Sequence, residues 1–264
     1  MQTGNHRFFT LITGANSGIG LELARQAAAE GHNLILVARD VPSLEKAADE
    51  LRRSVKVHII ALDLSQPAAA ESVSEQIRAL GAEVDCLINN AGFGDYGAFA
   101  ASDPAKQQQM IGVNITALTA LTRLFLPAML ARGRGHILNV ASAASFVPGP
   151  LMSVYYATKH YVLAFSEALV EELRGSSVKV TVLCPPPVST AFSRTARIAP
   201  GNYMAATRTT PAEVARYGYR MMKRGKPIAV YGLQYRFLAA FLIRITPRSV
   251  LRRVLHRMNA HSSH

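Results

Sequence analysis

Tyr155 and Lys159 stand four residues apart, and Ser142 lies thirteen residues ahead of the tyrosine. Residues four apart on a helix share a face, so the phenol and the ammonium become neighbours. A tyrosine hydroxyl ordinarily titrates near ~10, too high for ready proton exchange at neutral pH. An adjacent ammonium favours the phenolate and lowers that value. The hydroxyl is then able to give a proton to a carbonyl oxygen, or to take one back from an alcohol. A serine hydroxyl aimed at the same oxygen would steady the developing charge. Tyr156, three residues before Lys159, is a competing phenol, and helical geometry alone leaves both open.

A second group of residues suits a phosphate. The run Thr13-Gly14-Ala15-Asn16-Ser17-Gly18-Ile19-Gly20 follows an apolar segment and leads into a helical pattern. Glycines let the chain turn tightly and bring main-chain N–H groups against a pyrophosphate, and the helix N-terminus adds positive potential. The next strand pattern ends in Ala38-Arg39-Asp40. A carboxylate there binds the ribose hydroxyls of NAD, whereas an arginine suits the 2′-phosphate of NADP. Arg39 therefore favours NADP(H) over NAD(H), with Asp40 as the counter-signal, able to turn toward the ribose or to pair with Arg39. Asp63-Leu64 closes the third strand pattern, where the carboxylate would accept the adenine amino group or cap a helix ahead of Pro67.

Positioning such groups requires alternating strands and helices. Strand patterns fall at Phe8–Ile12, Leu34–Ala38, Lys56–Ala61, Cys86–Asn89, Gly135–Val140, Lys179–Leu183 and Ile228–Tyr231. Most are continuous apolar runs, as strands covered on both faces should be. Helical patterns occupy Gly20–Glu30, Pro42–Arg53, Pro67–Leu80, Asp103–Arg132 and Val154–Arg174. The expected fold is α/β: a Rossmann-like, doubly wound, mostly seven-stranded parallel sheet flanked by helices, with a C-terminal helical extension. Residues 1–231 would form the dinucleotide-binding catalytic domain, and 232–264 a basic amphipathic extension of it.

Taken in order, Thr13–Gly20, then Asn89-Asn90-Ala91-Gly92, Asn114, Ser142 and Tyr155-Tyr156-Ala157-Thr158-Lys159 resemble the short-chain dehydrogenase/reductase family over about residues 8–190. The resemblance selects Tyr155 over Tyr156 and implies an oxidoreductase that interconverts a carbonyl and a secondary alcohol. It implies Asn114, Ser142, Tyr155 and Lys159 as the catalytic set, with Asn114 anchoring a proton-relay water and Lys159 also holding the nicotinamide ribose. The implied cofactor residues are Gly14, Asn16, Ser17, Gly18, Ile19, Gly20, Arg39, Asp63, Leu64, Asn90, Ala91 and Gly92. Tyr155, Lys159, Val188 and Thr190 complete that set. One departure stands out: the family's Pro-Gly after the sixth strand is replaced by Pro185-Pro186-Pro187. Proline fixes φ and removes an N–H where glycine would be free, which bears on pocket shape.

Residues 191–210 should form a substrate lid. Phe192, Ile198, Tyr203 and Met204 there, with Phe93, Tyr96, Phe146 and Val147, point to an apolar or amphiphilic small-molecule substrate. Helices over Asp103–Arg132 and Val154–Arg174 carry apolar faces that could face the sheet; in the family these helices pair between copies, implying a homodimer or homotetramer. Alternative readings are an NADP(H)-binding sensor without catalysis and a protein whose tail binds a membrane surface.

Lys and Arg number 29 against 17 Asp and Glu, a net charge of +12. Residues 208–264 hold 12 of those cations and only Glu213 as an acid, so nearly all the excess lies in the last quarter. Pro247 should split that tail into two helices. Apolar clusters interleaved with arginines suit packing over the pocket or an oligomer interface, or contact with an anionic membrane surface, and argue against nucleic acid. No charged-then-apolar leader opens the chain, and no apolar run approaches the roughly 18 residues of a membrane span. Cys86 and Cys184 lie in apolar strand patterns as core thiols. These features point to a cytoplasmic protein, peripheral at most to a membrane. None of the eight histidines makes a metal constellation; His256, His261 and His264 lack helical ligand spacing, so no metal is expected.

Overall fold

The computed structural model describes residues 8–188, 192, 196, 209–242 and 245–260. Seven parallel strands form one sheet in the order β3-β2-β1-β4-β5-β6-β7. They are β1 Phe8–Thr13, β2 Asn33–Ala38, β3 Val57–Ala61, β4 Glu83–Asn89, β5 Gly135–Val140, β6 Val178–Cys184 and β7 Ile228–Val230. Strand direction and order make this the expected doubly wound sheet. β1 pairs with both β2 and β4, so the chain reverses its direction of growth there. A crevice opens at the carboxyl ends on either side of such a switch.

The strands alternate between two buried faces. Leu34 and Leu36 of β2 join one core cluster, while Ile35 and Val37 join the other. The first face is covered by α1 (Gly18–Ala29), α2 (Val41–Leu51) and α6 (Pro211–Lys223); the second by α3 (Ala69–Ala79), α4 (Pro104–Ala131) and α5 (Ser153–Glu172). Helix α6 has no counterpart among the sequence expectations. Its start is marked by a capping box in which Thr210 and Glu213 satisfy each other's main-chain N–H groups.

α4 departs from a plain α-helix. Residues Gly112–Ala117 form a π turn in its middle, between α-helical Pro104–Ile111 and Leu118–Ala131. The whole helix is 28 residues long and contains an 18-residue window with a mean hydropathy of 1.4, which corrects the expectation that no stretch reaches the length of a membrane span. Its Leu121, Phe125 and Met129 are buried in the core below the sheet, an arrangement that a bilayer-crossing helix would forfeit.

The tail divides as expected around Pro247. Short helix α7 (Leu233–Phe237) continues into a π turn at Leu238–Leu242, and α8 runs from Arg248 to Ala260. Gly232, at φ 90, makes the left-handed turn that carries the chain out of β7. Asn259 docks α8 on the body: its side-chain amide nitrogen donates to the Pro150 carbonyl at 2.7 Å, and its main-chain carbonyl accepts from the Tyr96 hydroxyl at 2.7 Å.

Candidate active site

The glycine turn after β1 is a backbone device held by one asparagine. Gly14 and Gly18 have φ of 64 and 55, which side-chain-bearing residues resist. Asn90, just past β4, donates its amide N–H groups to the carbonyls of Thr13 at 2.9 Å and Gly14 at 3.1 Å. Thr13 reciprocates, its hydroxyl accepting from the main-chain N–H groups of Asn90 and Ala91, each at 3.0 Å. Gly20 is pressed so close that a Cβ there would collide with the Gly14 carbonyl and the Asn90 amide. The Ser17 side chain caps nothing at the start of α1, and Ser17, Gly18 and Ile19 line the cleft at that helix N-terminus. This cradle fits the pyrophosphate of a dinucleotide.

Beyond it, Arg39 and Asp63 stand at the ends of β2 and β3, with Arg39 Nη1 3.7 Å from Asp63 Oδ2. Asp40 does not turn toward a ribose. Its carboxylate accepts the Ser43 N–H at 3.0 Å and caps α2, which holds its pKa below the usual carboxylate range. Asp63 accepts from the Ser65 N–H at 2.9 Å, a tight local turn, and α3 begins only at Ala69. Asn16 ties the turn to this end by donating to the Ser43 hydroxyl at 2.8 Å.

At the other end the proton-transfer groups converge. Ser142 sits just past β5, its hydroxyl oxygen accepting from the Ala144 N–H at 3.1 Å. Tyr155 and Lys159 lie on α5, both buried. Burial pushes the Tyr155 hydroxyl up to about 12, with a hydrogen bond from Ser142 pulling the other way. The expected lowering draws on the oxidised nicotinamide as well as on the ammonium; in the chain by itself desolvation of the phenolate dominates. Burial lowers Lys159 to about 8. Its ammonium donates to the Val140 carbonyl at 2.8 Å and lies 6.0 Å from the Tyr155 ring centre. Tyr156 also borders the cleft, and its ring packs against Gly149, where any side chain would clash.

Asn114 occupies the π turn of α4 and uses both of its amide N–H donors. It accepts from the Phe93 N–H at 3.1 Å and donates to the Phe93 carbonyl and the Thr158 hydroxyl, each at 3.0 Å. The side chain thus clamps the loop after β4 onto α5. Gly92 passes beneath it, and a Cβ there would lie 3.0 Å from Asn114 Oδ1 and 3.3 Å from Lys159 Nζ.

A single cleft of about 600 Å³ joins the two ends, with Arg39 and Leu64 on one side, Ser142 and Tyr155 on the other, and Ala91 between. The three prolines line it, and the Pro185 carbonyl accepts from the Ala143 N–H at 2.7 Å, fastening the β6 end to the Ser142 loop. Val188 also reaches the cleft; Thr190 lies outside the described residues, as do Arg194, Arg197, Ile198, Tyr203, Met204 and Arg208 of the expected lid. Phe192 is described and lies against Tyr155, ring centres 5.1 Å apart. The C-terminal extension packs over the pocket, one of the two coverings expected of its apolar faces: Tyr235, Leu238, Leu255 and Met258 wall the cleft, although none of the four was singled out as a site residue. Among the described residues there is no cluster of His, Cys, Asp and Glu able to hold a metal ion.

A family model described as short chain dehydrogenase matches residues 9–200. The human 17-beta-hydroxysteroid dehydrogenase type 3 is 36% identical over 190 residues, 70% of this chain and 61% of that protein. The chain likewise spans less than two thirds of the bovine and rat dehydrogenase/reductases it matches. Among solved structures, a short-chain dehydrogenase from Sphingobium yanoikuyae in complex with NADPH superimposes with a TM-score of 0.80 at 31% identity, covering 95% of both chains. A short chain dehydrogenase/reductase from Burkholderia phymatum in complex with NAD gives a TM-score of 0.81 at 25% identity, covering 95% of this chain and 97% of that one.

Proposed function

The chain belongs to the short-chain dehydrogenase/reductase family of oxidoreductases, and from that premise we propose that it interconverts a carbonyl and a secondary alcohol with NADP(H), in preference to NAD(H), on an apolar or amphiphilic substrate. The observation that carries this reading is the placement of Ser142, Tyr155 and Lys159 on one cleft that ends at Arg39.

The cofactor supplies or accepts the hydride; the chain's own residues handle the proton and the charge. Tyr155, with a hydroxyl near 12, is protonated at neutral pH and is the donor to the carbonyl oxygen. The Ser142 oxygen already accepts from Ala144, so its own hydrogen is available to the substrate oxygen or to Tyr155. Lys159, held by Val140 and largely charged below about pH 8, contributes positive potential beside the phenol and would bind the nicotinamide ribose. Asn114 fixes the β4 loop and is assigned the anchoring of a proton-relay water. Val188 and Thr190 are assigned to the carboxamide, and Arg39 to the 2′-phosphate, with Asp63 turned to the adenine.

The substrate reading rests on the cluster of Val147, Met152, Tyr155 and Phe192 with Phe93 and Phe146 around the reacting end. The human relative is named for a hydroxysteroid, an alcohol on a large apolar frame, which agrees with that lining. Residues 1–231 are the catalytic domain and 232–264 its extension. Leu124 and Leu130 on α4 and Tyr161 on α5 are exposed, which supports pairing of those helices between copies in a homodimer or homotetramer. The buried thiols of Cys86 and Cys184 suit a cytoplasmic protein, peripheral to a membrane. Following NADPH absorbance across a panel of ketones and aldehydes tests the proposal. Turnover of apolar ketones, lost in Tyr155→Phe, is the expected result; NADPH binding without turnover of any carbonyl would replace it with a sensor.

A further inference from the structure

Four large apolar residues on the C-terminal extension repeat at intervals of four: Leu233, Phe237, Phe241 and Ile245. All are strongly exposed, at 80%, 61%, 61% and 78%. The two phenylalanine rings stack side by side, 5.5 Å between centres. On α8, Val250 and Val254 continue the exposed apolar surface. Among the described residues nothing buries the stripe, yet the opposite side of the same short segment, Tyr235 and Leu238, walls the catalytic cleft together with Leu255 and Met258 of α8. One segment therefore has an inner face on the substrate and an outer face that is apolar and in water.

The charge of the segment identifies what covers that outer face. Residues 232–260 contain Arg236, Arg244, Arg248, Arg252, Arg253 and Arg257 and no acidic residue. A second copy seated there by two-fold symmetry would bring six cations against six, with no carboxylate between them. A surface of anionic phospholipid headgroups over hydrocarbon complements both features: apolar side chains enter the acyl boundary while arginines meet the headgroups. The turn at Gly232 and the latch of Asn259 on Pro150 and Tyr96 keep both helices seated on the body, so the cleft and the stripe are held in fixed relation.

We propose that this stripe seats the protein on an anionic lipid surface and sets the mouth of the catalytic cleft against it, so that a lipid-dissolved carbonyl substrate enters from the membrane. The delivery half rests on the oxidoreductase reading above; the contact half does not.

Sedimentation of the full chain with phosphatidylserine-containing vesicles, against phosphatidylcholine alone, tests the contact. Binding should be strong at low salt, weaken as salt screens the arginines, and fall about tenfold or more in Phe237→Ser/Phe241→Ser, whose circular dichroism and melting should match the parent. Neither phenylalanine lines the cleft, so turnover of a water-soluble ketone should be unchanged, whereas turnover of a long-chain ketone dissolved in the vesicles should fall in parallel with binding. Failure of the parent protein to bind, or equal binding by the double variant, overturns the contact. Loss of an oligomer rather than of vesicle binding in that variant assigns the stripe to a second copy and overturns it as well. Vesicle binding with equal loss of both ketone activities overturns delivery. Vesicle binding with no turnover of any carbonyl overturns the oxidoreductase reading and leaves the contact standing.

Discussion

Lys159 Nζ donates to the main-chain carbonyl of Val140 at 2.8 Å, which ties the helix of the proton donor to the end of β5. The pair controls pH behaviour in two ways. Burial lowers the lysine to about 8, so the ammonium beside Tyr155 is lost as pH rises through that value. Carbonyl reduction should therefore decline above about pH 8, visible as a descending limb in a pH–rate profile.

The same group has a stability signature of defined sign. Its folded pKa lies below the unfolded one, so above about pH 8 the unfolded chain binds more protons than the native one. Lys159 therefore makes stability rise with pH from about 8 toward the ordinary lysine value near ~10.4. Below that window its burial cost is fully present. Lys159→Met should flatten the rise, read as the pH dependence of the melting temperature. An unchanged slope would place the titration elsewhere.

Tyr155→Phe should lower turnover by about 10²–10⁴-fold, the usual contribution of a positioned general acid, while the cofactor still binds. Tyr156→Phe should retain most activity, because the hydrogen bond with Ser142 belongs to Tyr155 and the Tyr156 ring packs on Gly149. Steady-state rates with cofactor titration by fluorescence distinguish the two.

Arg39 is 60% exposed and only loosely paired with Asp63. Arg39→Ala should weaken NADPH by about 1.5–3 kcal/mol, the range for hydrogen bonds to charged groups, and leave NADH nearly unaffected. Asp63→Asn should move NADPH affinity slightly the other way by releasing the guanidinium. Equal losses for both cofactors in Arg39→Ala would remove the phosphate role.

Gly20→Ala should damage both fold and cofactor site, since its Cβ would run into the Gly14 carbonyl and the Asn90 amide. Overpacking of a rigid backbone contact costs about 1–3 kcal/mol. A lowered melting temperature with weakened dinucleotide binding is the expected result. Gly31, where nothing lies near an added Cβ but φ is 79, should lose stability through backbone strain alone and keep its cofactor affinity.

The sequence made the sheet legible because each strand is buried on both faces and therefore reads as an unbroken apolar run; Gly135–Val140 was placed to the residue. Helix α6 was missed despite its Thr-Pro-Ala-Glu start, because Gly218 interrupts the pattern. That glycine is required by packing, as a Cβ would strike the Leu183 side chain. The π turn at Asn114 left no local trace, since its amide partners, Phe93 and Thr158, are distant in sequence. For Asp40 the ambiguity was real: a carboxylate at the end of β2 serves a ribose or a helix start equally well, and only the Ser43 contact decides. The walls contributed by Tyr235 and Met258 were hidden for the same reason as the Tyr96–Asn259 latch. Both depend on contacts across more than a hundred residues of chain.

The central position of β1 has a cost during synthesis. Its edge toward β4 stays unpaired until Glu83–Asn89 has left the ribosome. At ordinary elongation rates of about 5–20 residues per second, that leaves an apolar edge of Phe9, Leu11 and Ile12 exposed for on the order of 4–15 s. Such an edge is a template for strand addition by neighbouring nascent chains. The half-sheet β1–β3 is therefore the segment of this protein most in need of a chaperone, and a synthesis pause placed after residue 89 should improve soluble yield more than one placed before residue 83.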